Sequence, residues 1–311
     1  MDETIRATAT DVVDSTIPES DRAEYTKRIA EDGGRKWSFT VVDGFFKQSS
    51  LETDAEYDPN DDHFGRVLPT WKDVVKRVKE LNENSDDNVK YKLIFCARHG
   101  EGYHNVAVEK FGLSAWDEHY SKLPGAIDPE TGEYMRWGPD PDLTDRGYGQ
   151  ARVMRKLVER EIDDGMPIPE SFYVSPFTRS CETLKTTWDK NRGEVLVVEL
   201  LRETIGEHLC DKRSKKSEIE KKHDNSGWKF KFEDDFTEDD ELFREDWREN
   251  VVDVAIRANS FLQKLFDKNE QIVWCCTHSG QIRGMIIASG HRSWTIPTAG
   301  MIPIVVKGVK I

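Results

Sequence analysis

Four short segments carry side chains suited to chemistry on a small anion: Arg98-His99-Gly100, Ser175-Pro176-Phe177-Thr178-Arg179, Arg202-Glu203 and Thr277-His278-Ser279-Gly280. An arginine offers a planar fork of N–H donors that matches phosphate oxygens in charge and geometry, which lysine does not. Arg98 and Arg179 are therefore expected to hold and neutralise a phosphoryl group. Guanidinium charge beside an imidazole disfavours its protonation, so His99 stays neutral and nucleophilic near physiological pH. Attack by His99 on phosphorus gives a phosphohistidine, and the departing oxygen then needs a proton. Glu203 is the best-placed donor by its position in the chain and would later deprotonate the attacking water, although Glu207 and Asp211 in the same loop are alternatives. His278 supplies a second imidazole that donates to the phosphoryl oxygens and stabilises transition-state charge. One acid or base contributes only ~10²–10⁴ in rate, against the ~10²¹ that monoester hydrolysis can demand, so the groups must act as a set.

The elements that would position these groups are legible in the hydrophobic pattern. Each segment follows a short apolar run: KLIFCA (92–97), SFYVS (171–175), VLVVE (195–199) and QIVWCCT (271–277). Such runs are typical of strands buried on both faces of a parallel sheet, and ligand groups in such sheets gather just beyond the carboxyl ends of the strands. Helical periodicity fills the intervals. Trp71, Val74, Val75, Val78 and Leu81 follow a Thr70 cap with Asp73 three residues on, and Ala151, Met154, Leu157, Val158 and Ile162 follow a Thr144 cap. Further helices are expected around residues 179–188, over about 247–266, and after Gly280, before a closing strand IPIVV (302–306). The alternation predicts a three-layer α/β/α sandwich with a mostly parallel central sheet. Residues 1–36 are polar, lack sustained periodicity and end in a hinge at Glu31-Asp32-Gly33-Gly34, so they are expected to be an extension packed against one domain spanning 37–311. The charged stretch 204–246, with KRSKKSEIEKK and EDDFTEDDE, is expected to be a solvated insertion in which Lys212 and Arg213 pair with neighbouring acids.

Taken together, Arg98-His99-Gly100 with Asn105, Leu143-Thr144 with Gly147 and Gln150-Ala151, Ser175-Pro176 with Arg179, Leu201-Arg202-Glu203, and His278-Ser279-Gly280 resemble the histidine phosphatase superfamily, the phosphoglycerate-mutase-like group. The similarity spans about residues 93–306. Arg202 to Arg213 and the N-terminal aromatic patch look most like fungal phosphomutase-like proteins. The resemblance implies His99 as nucleophile, Arg98, Arg179 and His278 as the phosphate pocket, Glu203 as proton donor, and Asn105 as a further phosphate contact. Ser279, standing where many members have His-Gly directly, is assigned to the substrate side of the same turn. Asn105 has a plain structural alternative as a helix cap, and Arg202 reads better as an ion-pair partner.

Composition narrows the classes. A net charge of −14 repels nucleic acid and anionic membrane, so neither is expected as a partner, and an anionic ligand must be small and met by a local basic pocket. The five cysteines sit mostly in apolar runs and are expected to be reduced and structural. Cys275 and Cys276, adjacent in a strand, should face opposite sides. The chain shows no apolar run long enough for a membrane span and no signal-like start, and is expected to be cytoplasmic, with a nuclear location left open. His104 and His208 form no zinc-spaced motif, GEGYHN (100–105) lacks the third glycine of a dinucleotide fingerprint, and no P-loop occurs, so neither metal nor cofactor is expected. The expected function is hydrolysis of small phosphate monoesters through phosphohistidine. A phosphomutase using the same pocket and a noncatalytic phospho-ligand binding module are the alternatives. The sequence leaves the oligomeric state open.

Overall fold

The computed structural model describes residues 3–55, 57–190, 192–224 and 226–311. Met1 and Asp2 of the extension, Glu56, Asn191, and Asn225 of the charged stretch lie outside the described residues. The N-terminal segment forms two helices, α1 (Ala9–Ser15) and α2 (Glu19–Glu31), ahead of β1 (Trp37–Val41). The sequence pattern misses both helices. Helix α1 is only seven residues long, and α2 buries only Tyr25 and Ile29, so neither writes a long apolar stripe. A capping box between Thr8 and Asp11 starts α1, and α2 adds Tyr25 and Ile29 to the core.

Helix α3 (Trp71–Glu83) begins at the expected Thr70–Asp73 capping box and leads into β2 (Val89–Arg98). Short elements follow: α4 (Tyr103–Phe111), α5 (Leu113–Glu118) and the hairpin of β3 (Gly125–Ile127) and β4 (Tyr134–Arg136), packed around Ala107, Trp116, Trp137 and Cys210. Next come α6 (Asp145–Asp163), β5 (Ser171–Val174), α7 (Thr178–Thr187) and β6 (Glu194–Val197). The chain continues through α8 (Lys216–His223), β7 (Lys229–Phe232), α9 (Val251–Phe266), β8 (Ile272–Thr277), α10 (Ser279–Ala288) and β9 (Met301–Lys310).

Seven strands form one sheet in the order β1-β9-β2-β8-β5-β6-β7. The pairs from β2 to β7 are parallel, while β9 runs antiparallel to both β1 and β2. Alternating side chains split the core into two layers. Leu93, Phe95, Ala97, Trp274 and Cys276 face α3, α6 and α7, whereas Ile94, Cys96, Val273 and Cys275 face α9 and α10, so the cysteine pair does point to opposite sides. The α/β sandwich matches the expected class.

The charged stretch 204–246 is not merely a solvated excursion. Strand β7 extends the sheet by pairing with β6, from Glu194 opposite Lys229 to Val197 opposite Phe232. Ile219, Trp228 and Phe236 are buried between the charges. Those apolar residues are isolated in sequence, which hides them from a periodicity reading. The charges nearest the sheet are internally matched: Arg202 pairs with Asp240, and buried Arg213 with Glu199, as expected of Arg213. Among the described residues, no helix is long and apolar enough to cross a membrane.

Candidate active site

Strand order is what brings distant segments together. Strands β2 and β8 are neighbours with Arg98 opposite Thr277, and β5 flanks β8 with Val174 opposite Cys276. The loops leaving β2, β8, β5 and β6 therefore open side by side on one edge. The His99 backbone N–H donates to the Thr277 carbonyl at 3.0 Å, and the imidazoles of His99 and His278 lie with ring centroids 5.0 Å apart. The first loop is fixed by close backbone approach: a Cβ on Gly100 would come within 2.5 Å of the Gly147 carbonyl oxygen at the start of α6. The Gly100 N–H also donates to Thr183 Oγ1 at 2.9 Å.

His99 is 1% exposed, with Nδ1 2.6 Å from the carbonyl oxygen of Gly100. A carbonyl only accepts, so Nδ1 carries the proton and Nε2 keeps its lone pair. Burial first, then the charges of Arg179 and Arg98, hold its pKa well below the ordinary histidine value, so the ring is neutral. His278 is fully buried, with Nε2 2.7 Å from Ser175 Oγ and 3.3 Å from Ser180 Oγ. Burial and the Arg179 charge depress its pKa as well. A serine hydroxyl can donate or accept, so His278 is a donor at Nδ1 in the tautomer whose Nε2 accepts from Ser175, and Nδ1 has no partner within the described chain.

Both arginines are anchored from behind. Arg98 Nη1 binds the Asp11 carboxylate and, at 2.8 Å, the Ile296 carbonyl. Arg179 Nη1 donates to the Cys210 carbonyl at 3.0 Å and Nη2 to Asp211 Oδ1 at 2.9 Å. In each case Nε is buried and unpartnered among the described residues. Three buried donors, two of them on cations, thus have no mate in the protein, and a tetrahedral oxyanion fits that donor set.

Glu203 Oε1 accepts from the Thr204 N–H at 2.8 Å, and Oε2 accepts from the Gly280 N–H at 3.3 Å and Ser279 Oγ at 3.4 Å. Its backbone is pinned by Arg257, whose guanidinium reaches the carbonyls of Arg202 and Glu203 and the Glu249 carboxylate. Asn105 lines the same cavity, and its Oδ1 accepts from the Gly102 N–H at 2.9 Å, capping α4. Arg202 is the ion-pair partner expected of it, bound to Asp240 and Glu199. Of the alternative acids, Asp211 is 2% exposed and held between Arg179 and Arg248.

The cavity in front of Arg98, His99 and Glu203 has a volume of about 440 Å³ and is walled by loops after β2, β6 and β8, by α4 and α5, and by α1, with Arg179 and His278 buried outside its lining. Asp11 and Asp14 enter it from a segment that reads as a plain extension. The one sequence signal was the Thr8-Ala-Thr-Asp11 capping pattern. Ser180, Thr183, Arg248 and Arg257 were also missed, because their roles exist only through contacts across the chain. A larger cleft of about 1360 Å³ beside the β3–β4 hairpin and α8 reaches neither histidine. Among the described residues, His63, Glu161 and Asp164 form a group with metal-compatible spacing, but Glu161 already accepts from Trp71 and Asp164 from Arg66.

Comparison with known proteins places this geometry in context. The model of the "Histidine phosphatase superfamily (branch 1)" matches residues 125–296, beginning after the loop that carries His99. A "Probable phosphoglycerate mutase" of Arthroderma benhamiae is 31% identical over 294 residues, covering 87% of this chain and 84% of that protein. "Phosphomutase-like protein 3" of Candida albicans is 30% identical over 266 residues, covering 84% of this chain and 78% of its own. Among solved structures, a mycobacterial glucosyl-3-phosphoglycerate phosphatase aligns with 16% identity and a TM-score of 0.41, over 70% of this chain and 91% of its own.

Proposed function

Because the chain belongs to the histidine phosphatase superfamily, we propose that it hydrolyses small phosphate monoesters through a phosphohistidine on His99, without a metal. The observation that carries this reading is the unpartnered donor set, Arg98 Nε, Arg179 Nε and His278 Nδ1, buried around a neutral His99. The phosphoryl group lies in this cradle and His99 Nε2 attacks phosphorus in line with the ester oxygen. The P–O bond to the alcohol breaks while Glu203, entering as the carboxylic acid, gives its proton to the departing oxygen. Glu203, now a carboxylate, takes a proton from water as that oxygen attacks phosphorus. The P–N bond breaks, phosphate leaves, and His99 returns to its neutral form. Arg98, Arg179 and His278 contribute by meeting charge on the equatorial oxygens with donors already in place, so little reorganisation accompanies the reaction. Ser279 keeps Glu203 at the mouth through its hydroxyl, and Asn105 shapes the wall beside α4.

The names of the fungal relatives favour a second reading, a mutase that returns the phosphoryl group to another hydroxyl of the same substrate. One assay series distinguishes them. In excess chelator, the protein should release phosphate from an aryl phosphate, and rapid quenching should trap acid-labile phosphate on His99. With 3-phosphoglycerate, isomerisation faster than hydrolysis would select the mutase. Tight phosphate binding with no turnover of any ester would leave only the binding module.

A further inference from the structure

Beyond the phosphate cradle the cavity changes sign. Its lining includes eight carboxylates, Asp11, Asp14, Glu101, Glu109, Asp117, Glu203, Asp211 and Glu249, but four arginines and no lysine. Every one of those arginines is already engaged. Arg98 is on Asp11, Arg146 on Glu101, and Arg248 on Asp211 and the carbonyls of Thr204 and Gly206, while Arg283 Nη1 donates to the Asp14 carbonyl. Asp14 and Glu109 have no salt bridge among the described residues, and Asp117 has only His208, 3.6 Å away. Burial depresses His208 to a pKa of about 3, so that neighbour is neutral and offers no counter-charge. Desolvation raises the pKa of Asp14, Glu109 and Asp117 against the pull of nearby guanidiniums, Arg98 and Arg283 at Asp14, Arg146 at Glu109 and Arg248 at Asp117, none of which pairs with them directly.

The orientation of a substrate in this cavity is set independently of the acids. Arg98 and His99 line the cavity and set the phosphoryl group at its floor, while Arg179 and His278 are buried next to His99 outside that lining. The alcohol portion must then project along the wall formed by α1, α4 and α5. We infer that this wall selects monoesters whose alcohol carries an ammonium group, recognised by Asp14, Glu109 and Asp117, and disfavours alcohols carrying a carboxylate or a second phosphate. An ammonium placed there gives these carboxylates the direct cationic partner they lack, whereas a carboxylate adds to their repulsion. Helix α1 is in this view a specificity element of the site, contributing Asp14 directly and Asp11 through its hold on Arg98.

The inference rests on the phosphatase reading for turnover but not for binding, so two measurements keep them apart. With the intact protein, kcat/KM is compared for O-phosphoethanolamine, glycerol 3-phosphate and 3-phosphoglycerate. The expected order is amine over neutral over carboxylate, with about tenfold or more between the extremes at low salt and less at high salt. With the His99→Ala protein, calorimetry measures affinity for the same three esters without turnover, and the same order is expected. In an Asp14→Asn/Asp117→Asn double variant, the preference should shrink at least threefold. Equal or better use of 3-phosphoglycerate, or a preference unchanged by the double variant, overturns the inference. The expected affinity order in His99→Ala, with no ester hydrolysed by the intact protein, would instead sink the phosphatase reading alone.

Discussion

Asp211→Asn tests how the site is held together. The Asp211 carboxylate sits between two guanidiniums, 2.9 Å from Arg179 Nη2 through Oδ1 and 3.1 Å from Arg248 Nη1 through Oδ2, and is 2% exposed. Asparagine preserves the shape but removes the charge, and it turns an N–H₂ toward one of the two cations. Losing one partner of a buried pair costs ~3–5 kcal/mol, and the single acceptor that asparagine retains brings the expected loss to about 3 kcal/mol. With an unfolding entropy of ~2.1 cal/mol/K per residue, that loss lowers the melting temperature of a chain this long by about 5 °C. Arg179 would keep only its bond to the Cys210 carbonyl. Losing one transition-state donor costs ~10²–10³ in rate, so kcat/KM for an aryl phosphate should drop by about 10². Thermal melts followed by circular dichroism, together with steady-state phosphate release, read both numbers. The pH profile adds a third reading, since a positioning role lowers the amplitude of kcat without removing its alkaline limb, whereas a proton donor takes that limb with it. A melting temperature within 1 °C of the parent, or kcat/KM within about threefold, would refute the reasoning.

Three other outcomes follow from the same geometry. His99→Ala should abolish turnover and phosphohistidine formation while leaving the melting transition cooperative, because the truncation removes the nucleophile without stranding a charge; hydrolysis that persists would exclude the mechanism. In Gly280→Ala the new Cβ would sit 2.1 Å from Glu203 Oε1 and 2.9 Å from Thr204 Oγ1, so the carboxylate must move. The expected result is a fall in kcat of about 10–10², within the range of a displaced acid, with little change in phosphate affinity, and an unaltered kcat would argue against Glu203 as the donor. Stability should also decline on acidification below about pH 6.5. Burial depresses the pKa values of His99, His104, His208, His223, His278 and His291, so the unfolded chain takes up protons first. Each contributes stability that is complete above pH 6.5 and is lost as the pH falls, by up to ~1.4 kcal/mol per pH unit. Asp14, Glu109, Asp117 and buried Asp140 have values raised by desolvation and oppose this only in the carboxylate range. Urea midpoints at pH 7.5, 6.5 and 5.5 should therefore decrease in that order, and a midpoint that holds or rises would contradict the assignment.

How much of this was legible in the sequence depends on whether a feature is local. Strands β2, β5, β6 and β8 are short and apolar, and the groups at their carboxyl ends are adjacent in the chain to the runs that place them, so Arg98, His99, Arg179, Glu203 and His278 could be named from spacing. Helix α3 announced itself through a capping box and a stripe from Trp71 to Val78. Helices α1 and α2 did not, because α1 rests on its Thr8–Asp11 capping box and α2 on a few contacts from Tyr25 and Ile29, neither of which makes a periodic pattern. The edge strand β7 was hidden for a related reason: KFKF alternates, but it lies between the mainly basic run KRSKKSEIEKK and the acidic run EDDFTEDDE, whose charge dominates any window that contains it. The insertion's loop behaviour was thus overestimated, although the pairing of Arg213 with a neighbouring acid was not.

The least legible feature is also the one on which the site depends most. A guanidinium buried to 3% or less must have a counter-carboxylate, or its desolvation would be uncompensated. Arg179 finds that partner in Asp211, at the start of the charged stretch, and Arg98 finds it in Asp11, some 90 residues upstream in α1. Neither pairing follows from spacing, yet both solve one problem in the same way. The carboxylate holds one far nitrogen of the fork, Nη1 of Arg98 and Nη2 of Arg179, a backbone carbonyl adds a second acceptor, and Nε is left without a partner, so each arginine is already desolvated and oriented before an anion arrives. A phosphoryl group entering between them need not pull either side chain out of water, and that preorganisation is what gives two fixed cations their advantage over two mobile ones. The N-terminal segment and the insertion, which look like additions to an α/β core, are on this argument the parts that make the core's arginines usable.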